Sequence, residues 1–348
     1  MNKIVSIPKG ELMKLLKHSL IAAAFVAATS TSGMAADLKG LSISVDPMYM
    51  AVFGDDVHAG DVYTYDYSGA SGYYYQYSGN PIIAKPDGKL TLRGEVEYKK
   101  GEWGLGVNYW GLSSDGSQIG SITDPVSGDN SYVGIRLGDN SWSSDNQATT
   151  INWSTSNKIK VWTSDVYGIK TIMGDQDKTF NLTFGLKFAK LQNQRVDHMS
   201  YDDANFNTYT YDWNKKADSD LLIGPMLGIQ GHFHWEKQRV IGTVTQSFVY
   251  GDVNYQSMTA REYVYESGGG YSYLYDTSHK TTEVIPVTEV KLKWMYDFTP
   301  NVSLGLGVFA SMWTNAPMAQ EADMYYTNAE SKKTVIFAGS MGSLEYRF

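Results

Sequence analysis

From about residue 38 to the last residue, apolar and polar positions alternate with period two, the mark of strands that show different surroundings to their two faces. Leu41, Ile43, Val45, Tyr49, Ala51 and Phe53 share one parity, and Ser42, Ser44 and Asp46 take the other. Leu90, Leu92, Gly94, Val96 and Tyr98 alternate with Thr91, Arg93, Glu95 and Glu97. Trp103, Leu105, Val107 and Tyr109 do so with Gly104, Gly106 and Asn108, and the phenylalanine-rich run Phe180–Phe188 repeats the arithmetic. The pattern predicts ten strands: 38–53, 89–99, 102–112, 159–173, 179–190, 220–235, 240–251, 283–298, 302–313 and 333–348. In 159–173, Asp165 falls on the apolar parity and requires a bulge or a polar niche. Pro47, Pro225 and Pro286 lie inside assigned strands, where each removes a ladder donor, so bulges are expected there.

The connections separate two architectures. A soluble β-sandwich has turns of similar length at both ends. Here short turns (99–102, 174–178, 236–239, 298–301) alternate with long connections (54–88, 113–158, 190–219, 252–282, 313–333). That asymmetry, with strands long enough for a tilted crossing and aromatic residues at their ends, predicts an all-β, antiparallel, up-and-down transmembrane barrel. Its short turns would be periplasmic and its long loops extracellular. Within 113–158, Val133, Ile135 and Leu137 alternate, as do Thr149, Ile151 and Trp153. If both runs crossed, the barrel would have twelve strands; the first is short for a crossing, which favours ten and a hairpin in an outer loop.

The carboxy terminus, Gly342-Ser-Leu-Glu-Tyr-Arg-Phe348, sets Leu344, Tyr346 and Phe348 on one face and ends on phenylalanine. It resembles the last-strand signature of Gram-negative outer-membrane β-barrel proteins, and the turn 297–302 (Asp-Phe-Thr-Pro-Asn-Val) is similar to periplasmic turns of that class. The resemblance implies a bacterial outer-membrane location, with Leu344, Tyr346 and Phe348 serving as the signal read by the barrel-assembly machinery.

Residues 1–35 read as a secretory signal, with Lys14 and Lys17 before the short apolar run Leu20–Ala28, and Gly33 and Ala35 before a cut at Ala36. The barrel then occupies 36–348. The absence of cysteine excludes disulfide scaffolds, thiolate metal sites and cysteine nucleophiles. The net charge of −8 argues against nucleic acid as a partner. The five long connections hold 11 basic and 22 acidic residues, net −11, whereas the rest of residues 36–348 balances at 14 of each. The acidic excess therefore lies on the outer loops. Lipid and lipopolysaccharide are the expected surroundings there, with divalent-cation bridging as one role for the acidity.

The inward parity carries both charges: Arg93, Glu95, Glu97, Lys187, Glu289, Lys291, Lys293, Glu345 and Arg347. Such a lining either selects solutes or pairs with itself into a plug. A barrel of about ten strands lies nearer the filled limit than the sixteen or so of an aqueous channel. Tyrosine, at 26 residues, concentrates in the outer connections at period two: Tyr63, Tyr65 and Tyr67; Tyr73, Tyr75 and Tyr77; Tyr209, Tyr211 and Trp213; Tyr271, Tyr273 and Tyr275. Aromatic-faced hairpins follow, forming either a ligand-binding surface or a collar packed on itself.

Asp56 and His58 are weak candidates for hydrolytic chemistry at the outer mouth; a carboxylate can orient an imidazole as a general base, but a solvated histidine in an aspartate-rich loop is the better explanation. His232 and His234 share a face near a short turn and are expected to form a hydrogen-bonded pair, since further metal ligands are lacking. Gly268-Gly269-Gly270 is a tight tip, with no following helix to hold phosphate. Neither cofactor nor metal is called for. The sequence points to a narrow porin-like pore or a surface-exposed binding protein, the alternatives being an adhesin using its tyrosine-rich loops or, further off, a hydrolase.

Overall fold

A computed structural model describes residues 40–54, 58–66, 80–123, 131–137, 140–143, 150–175, 177–202, 207–319 and 331–348. The expected signal, residues 1–35, lies outside them. Among the described residues fifteen strands run in chain order: β1 (Leu41–Gly54), β2 (His58–Asp66), β3 (Asn80–Ile83), β4 (Lys89–Lys100), β5 (Trp103–Thr123), β6 (Ser131–Leu137), β7 (Asn140–Ser143), β8 (Thr150–Gly174), β9 (Lys178–Asp202), β10 (Thr208–Ser219), β11 (Leu222–Trp235), β12 (Gln238–Val264), β13 (Gly270–Asp297), β14 (Val302–Met318) and β15 (Ser331–Arg347). Eleven of them form one antiparallel sheet, and pairing of β1 with β15 and of β12 with β13 closes it into a ring.

The ring has ten crossings because β10 and β11 are successive halves of one. Both pair with β9 and β12. Asp218 faces Gln192 while Leu222 faces Ala189, four steps against three. One extra residue at Asp220–Leu221 is therefore a β-bulge, and Asp220 N–H still donates to Asp252 O at 2.8 Å. The ten expected strands all appear. No crossing arises from 131–143: β6 and β7 join β2 and β3 in a separate four-stranded sheet. The second run in that region is no loop hairpin; Ile151 and Trp153 belong to β8, which extends a ladder with β5 as far as Thr123↔Thr150.

The three prolines do not bulge the sheet. Pairing on either side of Pro47, Pro225 and Pro286 keeps constant register. Each lacks one N–H donor, so the cost is a lost bond toward a single neighbour with no added residue to shift the ladder. Pairing of β13 with β14 begins only after Pro286, at Val287. Register shifts fall instead between Thr171 and Met173 and between Trp313 and Ala316.

An exposed apolar belt surrounds the ring, including Tyr49, Leu105, Val166, Leu186, Leu227, Val290, Leu306 and Leu344. On β8 it runs from about Trp162 to Ile172; ten rises along a strand tilted by about 40° span roughly 25 Å, the height of a barrel's lipid-facing band. Such a belt around a closed ring makes this a transmembrane β-barrel of the outer-membrane type. Beyond the belt, at the long-loop end, β5, β8, β9, β10, β12 and β13 continue as a six-stranded wall, laddered from Thr123 on β5 to Gly270 on β13.

Candidate functional site: a filled lumen beneath an aromatic wall

The interior is built in tiers. At the short-turn end Arg239 Nη2 meets Glu345 Oε1 at 2.8 Å, and Arg347 Nη2 meets Asp297 Oδ1 at 2.9 Å. Ser303 accepts from both guanidinium groups, at 3.1 Å each. Above them Lys293 pairs with Asp46 at 2.7 Å, Lys291 with Glu95 at 2.6 Å, and Arg93 with Glu95 at 3.4 Å. Lys187, fully buried, bridges Asp165 at 2.7 Å and Glu289 at 3.0 Å. The polar niche for Asp165 is thus an ion pair. Tyr167 O–H reaches both Glu95 and Glu97, at 3.1 and 2.9 Å, and Gln230 donates to Glu97 at 3.4 Å.

All nine charged residues expected in the lumen lie on the inward parity. Glu97 and Arg347 are half-buried and the rest are buried. Asp46, Asp165, Arg239 and Asp297 complete the network. Charges removed from water persist only when paired and hydrogen-bonded, and here each tier supplies both signs. A cavity of about 30 Å³ among Arg93, Glu97, Tyr167, Gln230 and Lys291 has room for a few waters. His232 and His234 make no hydrogen bond to each other: His232 Nε2 is buried without a partner among the described residues.

The next tier is apolar. Trp110 meets Phe309 edge-on at 5.3 Å and Phe337 at 5.9 Å, and Trp313 adds a contact to Phe337 at 6.3 Å. Met48, Met50, Leu191, Leu222, Ile285 and Val287 fill around them, all essentially without solvent contact. Trp110 Nε1–H donates to Glu289 Oε1 at 3.2 Å and so ties this plug to the charged tier below.

The wall above carries aligned aromatic rows on its inner face. Register sets Ile122, Ile151, Tyr201, Tyr209, Tyr263 and Tyr271 side by side across six strands. The next row contains Trp153, Met199, Tyr211, Arg261 and Tyr273, and the third Asp197, Trp213 and Tyr275. Tyr201 stacks on Tyr209 at 4.7 Å, Tyr211 on Trp213 at 5.7 Å and Tyr263 on Tyr271 at 4.5 Å. The Tyr211 and Tyr263 hydroxyls are 3.1 Å apart, and Arg261 sits 5.7 Å from the Tyr211 ring.

Burial grades across these rows. Ile82 and Ala84 cover Trp153, Met199, Tyr211 and Trp213. The covering segment approaches β5 at Gly116, where a Cβ would collide with the Lys85 carbonyl; Asp87 N–H donates to Asp115 O at 3.0 Å beside it. On β13, by contrast, Tyr271, Tyr273 and Tyr275 are 43%, 49% and 56% exposed. Buried collar and open surface are two ends of one aromatic array.

Asp56, Tyr67, Tyr73, Tyr75 and Tyr77 lie outside the described residues. For His58, Tyr63 and Tyr65 the structure describes the backbone alone, within β2. Elsewhere, Ser154, His198 and Asp212 fall in one outward row of β8, β9 and β10, with His198 Nδ1 2.7 Å from Asp212 Oδ1. No hydrogen bond joins Ser154 to His198, and the flanking ladders engage the backbone N–H groups that an oxyanion would need. Leu344, Tyr346 and Phe348 face the belt; Phe348 N–H donates to Leu41 O at 3.0 Å and its ring meets Tyr346 edge-on at 4.7 Å.

By fold the chain is an outer-membrane β-barrel protein. Neither a protein-family model nor a curated protein matches its sequence. Solved structures with detectable likeness include the P. putida toluene transporter TodX (8% identity, 89% of this chain and 90% of that one, TM-score 0.26). Others are the transport unit of the autotransporter AIDA-I from Escherichia coli (9%, 92% and 94%, TM-score 0.27) and a Pseudomonas aeruginosa FadL homologue (8%, 88% and 90%, TM-score 0.24). Likenesses this distant carry no substrate or activity over to this chain.

Proposed function

We propose that the protein is a surface recognition barrel of the bacterial outer membrane, a closed anchor that presents an aromatic binding wall outside the cell. The single observation that carries this reading is the contrast between a lumen closed by two successive tiers and the open tyrosine face of β13 directly above it. Tyr271, Tyr273 and Tyr275 offer ring area and hydroxyls on a strand laddered to β12, which suits a ligand with both apolar and hydroxylated faces. The net charge of −11 over the long connections disfavours acidic ligands. A porin-like role would need a continuous aqueous path, and the paired charges and the tryptophan–phenylalanine plug weigh against one.

The test displays the full chain in the outer membrane of a Gram-negative host and measures attachment to a panel of neutral glycans and host-cell surfaces. Replacing Tyr271, Tyr273 and Tyr275 together by Ala should abolish attachment while leaving barrel folding intact. Unchanged attachment, or steady ion conductance of the purified wild type in planar bilayers, would overturn the reading.

A further inference from the structure

The outward face just beyond the apolar belt runs against the acidic trend of the long-loop end. In the β8–β9 ladder Trp162 stands opposite Lys190, Lys160 opposite Gln192 and Lys158 opposite Gln194. In the β9–β10 ladder Gln194 is opposite Lys216 and Gln192 opposite Asp218. These residues share one parity and point away from the lumen. With strands about 4.8 Å apart and same-face residues about 6.7 Å apart along a strand, the four lysines fall within roughly 15 Å.

Their neutralisation is incomplete. Asp218 takes Lys190 at 3.4 Å and Lys216 at 2.8 Å and also accepts from Gln192 at 2.8 Å. Lys158 and Lys160 are exposed and form no ion pair among the described residues. Asp115, opposite Lys158, is bridged by Lys89 at 3.5 Å. On the neighbouring strands the same height is self-compensated: Lys280 bridges Asp220 and Asp252 at 3.2 and 3.0 Å. Across β8, β9 and β10 the patch therefore sets four lysines against the single carboxylate of Asp218.

We infer that Lys158, Lys160, Lys190 and Lys216 bind the phosphorylated saccharide headgroup of an outer-leaflet glycolipid. Two observations and one general principle carry the assignment. The patch begins at the upper edge of the lipid-facing belt, where Trp162 marks the interface, so a lipid whose chains lie on the belt brings its headgroup to this height. The lysines lie on the outer wall, where lipid surrounds the barrel, and not on the inner face, where the aromatic ligand would bind. Basic clusters at a membrane surface attract anionic headgroups. The assignment rests on the long-loop end facing outward but is independent of what the tyrosines bind.

The experiment uses the full chain folded in a neutral detergent, titrated with diphosphorylated lipid A, with dephosphorylated lipid A and with inorganic phosphate, and read by native mass spectrometry. Wild type should retain diphosphorylated lipid A at least about tenfold better than the dephosphorylated form, with retention falling as salt rises and no stable adduct with free phosphate. Replacing the four lysines by Gln should remove that preference, whereas Lys280→Gln should keep it; heat-modifiable gel migration verifies that each variant is folded. Equal retention of the two lipids, an unaltered preference in the quadruple variant, or equivalent capture of inorganic phosphate would each overturn the assignment. Attachment through the tyrosine face is measured separately and survives any of these outcomes.

Discussion

The rings of Tyr201 and Tyr209 lie stacked across the β9–β10 hairpin, with centroids 4.7 Å apart and planes within 6° of parallel. Tyr209 also meets Tyr263 edge-on at 5.2 Å, and Tyr263 stacks on Tyr271 at 4.5 Å. One aromatic row thus links the half-buried rings of β9 and β10 to the exposed ones of β13. The open tyrosines are held by those behind them, so the wall is preorganised for contact with little side-chain entropy left to lose.

Tyr209 is the hub of that row. Tyr209→Ala removes a stacked and an edge-to-face partner, each worth about 0.5–1.5 kcal/mol beyond area burial. The expected loss is about 1–3 kcal/mol, confined to the wall, since β9 and β10 have no tertiary support from the charged lumen at this height. Hydrogen exchange should accelerate around 199–211 and 261–273 while amides of the ring, such as those of 180–188, keep their protection. Faster exchange throughout the ring would refute a wall that opens independently.

How much of this was legible in the sequence depends on whether a feature is local to one strand. Alternation in Leu90–Tyr98 or Phe180–Phe188 marks a crossing by itself, and so the ten crossings and the charged inward parity could be read directly. Rows such as Tyr201–Tyr209–Tyr263–Tyr271 depend on register between strands far apart in the chain, which no single segment encodes. The apolar plug was hidden for a related reason: Trp110 and Leu112 continue the inward parity of Asn108, yet taken alone they look like belt residues. Ile159, Val161 and Ile169 likewise face inward, so on β8 the apolar parity is the lumenal one and Asp165 is no exception to it. The bulge at Asp220–Leu221 left no signature, whereas the prolines, which do have one, leave the register intact.

The β12–β13 hairpin is pinned where it leaves the belt by Asp252, Lys280 and Asp220. Hydrogen bonds from Lys280 and Thr282 hold the Asp252 carboxyl below its ordinary range, and hydrogen bonds to Asp252 and Asp220 raise the Lys280 ammonium above its own. A depressed carboxylate stabilises the fold above its unfolded value, near pH 4, and loses that contribution as the pH falls through the folded value. A raised ammonium contributes below its unfolded value, near pH 10, and ceases to do so as the pH climbs through the folded one. Protection of the amides in 252–256 and 278–282 should therefore be flat between about pH 4 and 10, once corrected for intrinsic exchange, and decline on either side. Lys280→Gln should remove the basic limb and shrink the acid one, since Thr282 still donates to Asp252; an unchanged acid limb in that variant would show that Lys280 does not hold Asp252.

Two tiers fill the lumen, joined by the hydrogen bond from Trp110 to Glu289, and each is expected to block it when the other is weakened. Trp110→Ala with Phe337→Ala opens a cavity at the centre of the apolar tier, leaving Phe309, Trp313 and the aliphatic residues around it, and a buried Trp or Phe cut to Ala costs about 3–5 kcal/mol. The ion-paired tiers beneath are untouched apart from the loss of one donor to Glu289. The double variant should unfold at markedly lower denaturant than wild type yet still give baseline conductance in planar bilayers. Stable open-channel currents from it would mean that the charged tiers do not seal the barrel.

Lys187 tests the charged tier itself. Its ammonium is the shared partner of Asp165 and Glu289 at 2.7 and 3.0 Å, and no part of it reaches solvent. Lys187→Met keeps the volume but leaves two carboxylates facing one another, and breaking a buried pair in this way costs about 3–5 kcal/mol. Adding Asp165→Asn and Glu289→Gln removes the stranded charges, so the triple variant should recover most of that loss even though it contains fewer ion pairs than wild type. Denaturant midpoints of the folded barrel in detergent would measure both steps. Should the triple variant be no more stable than Lys187→Met, the single-variant defect would lie in packing around residue 187, and the charge-balance account of the lumen would be wrong.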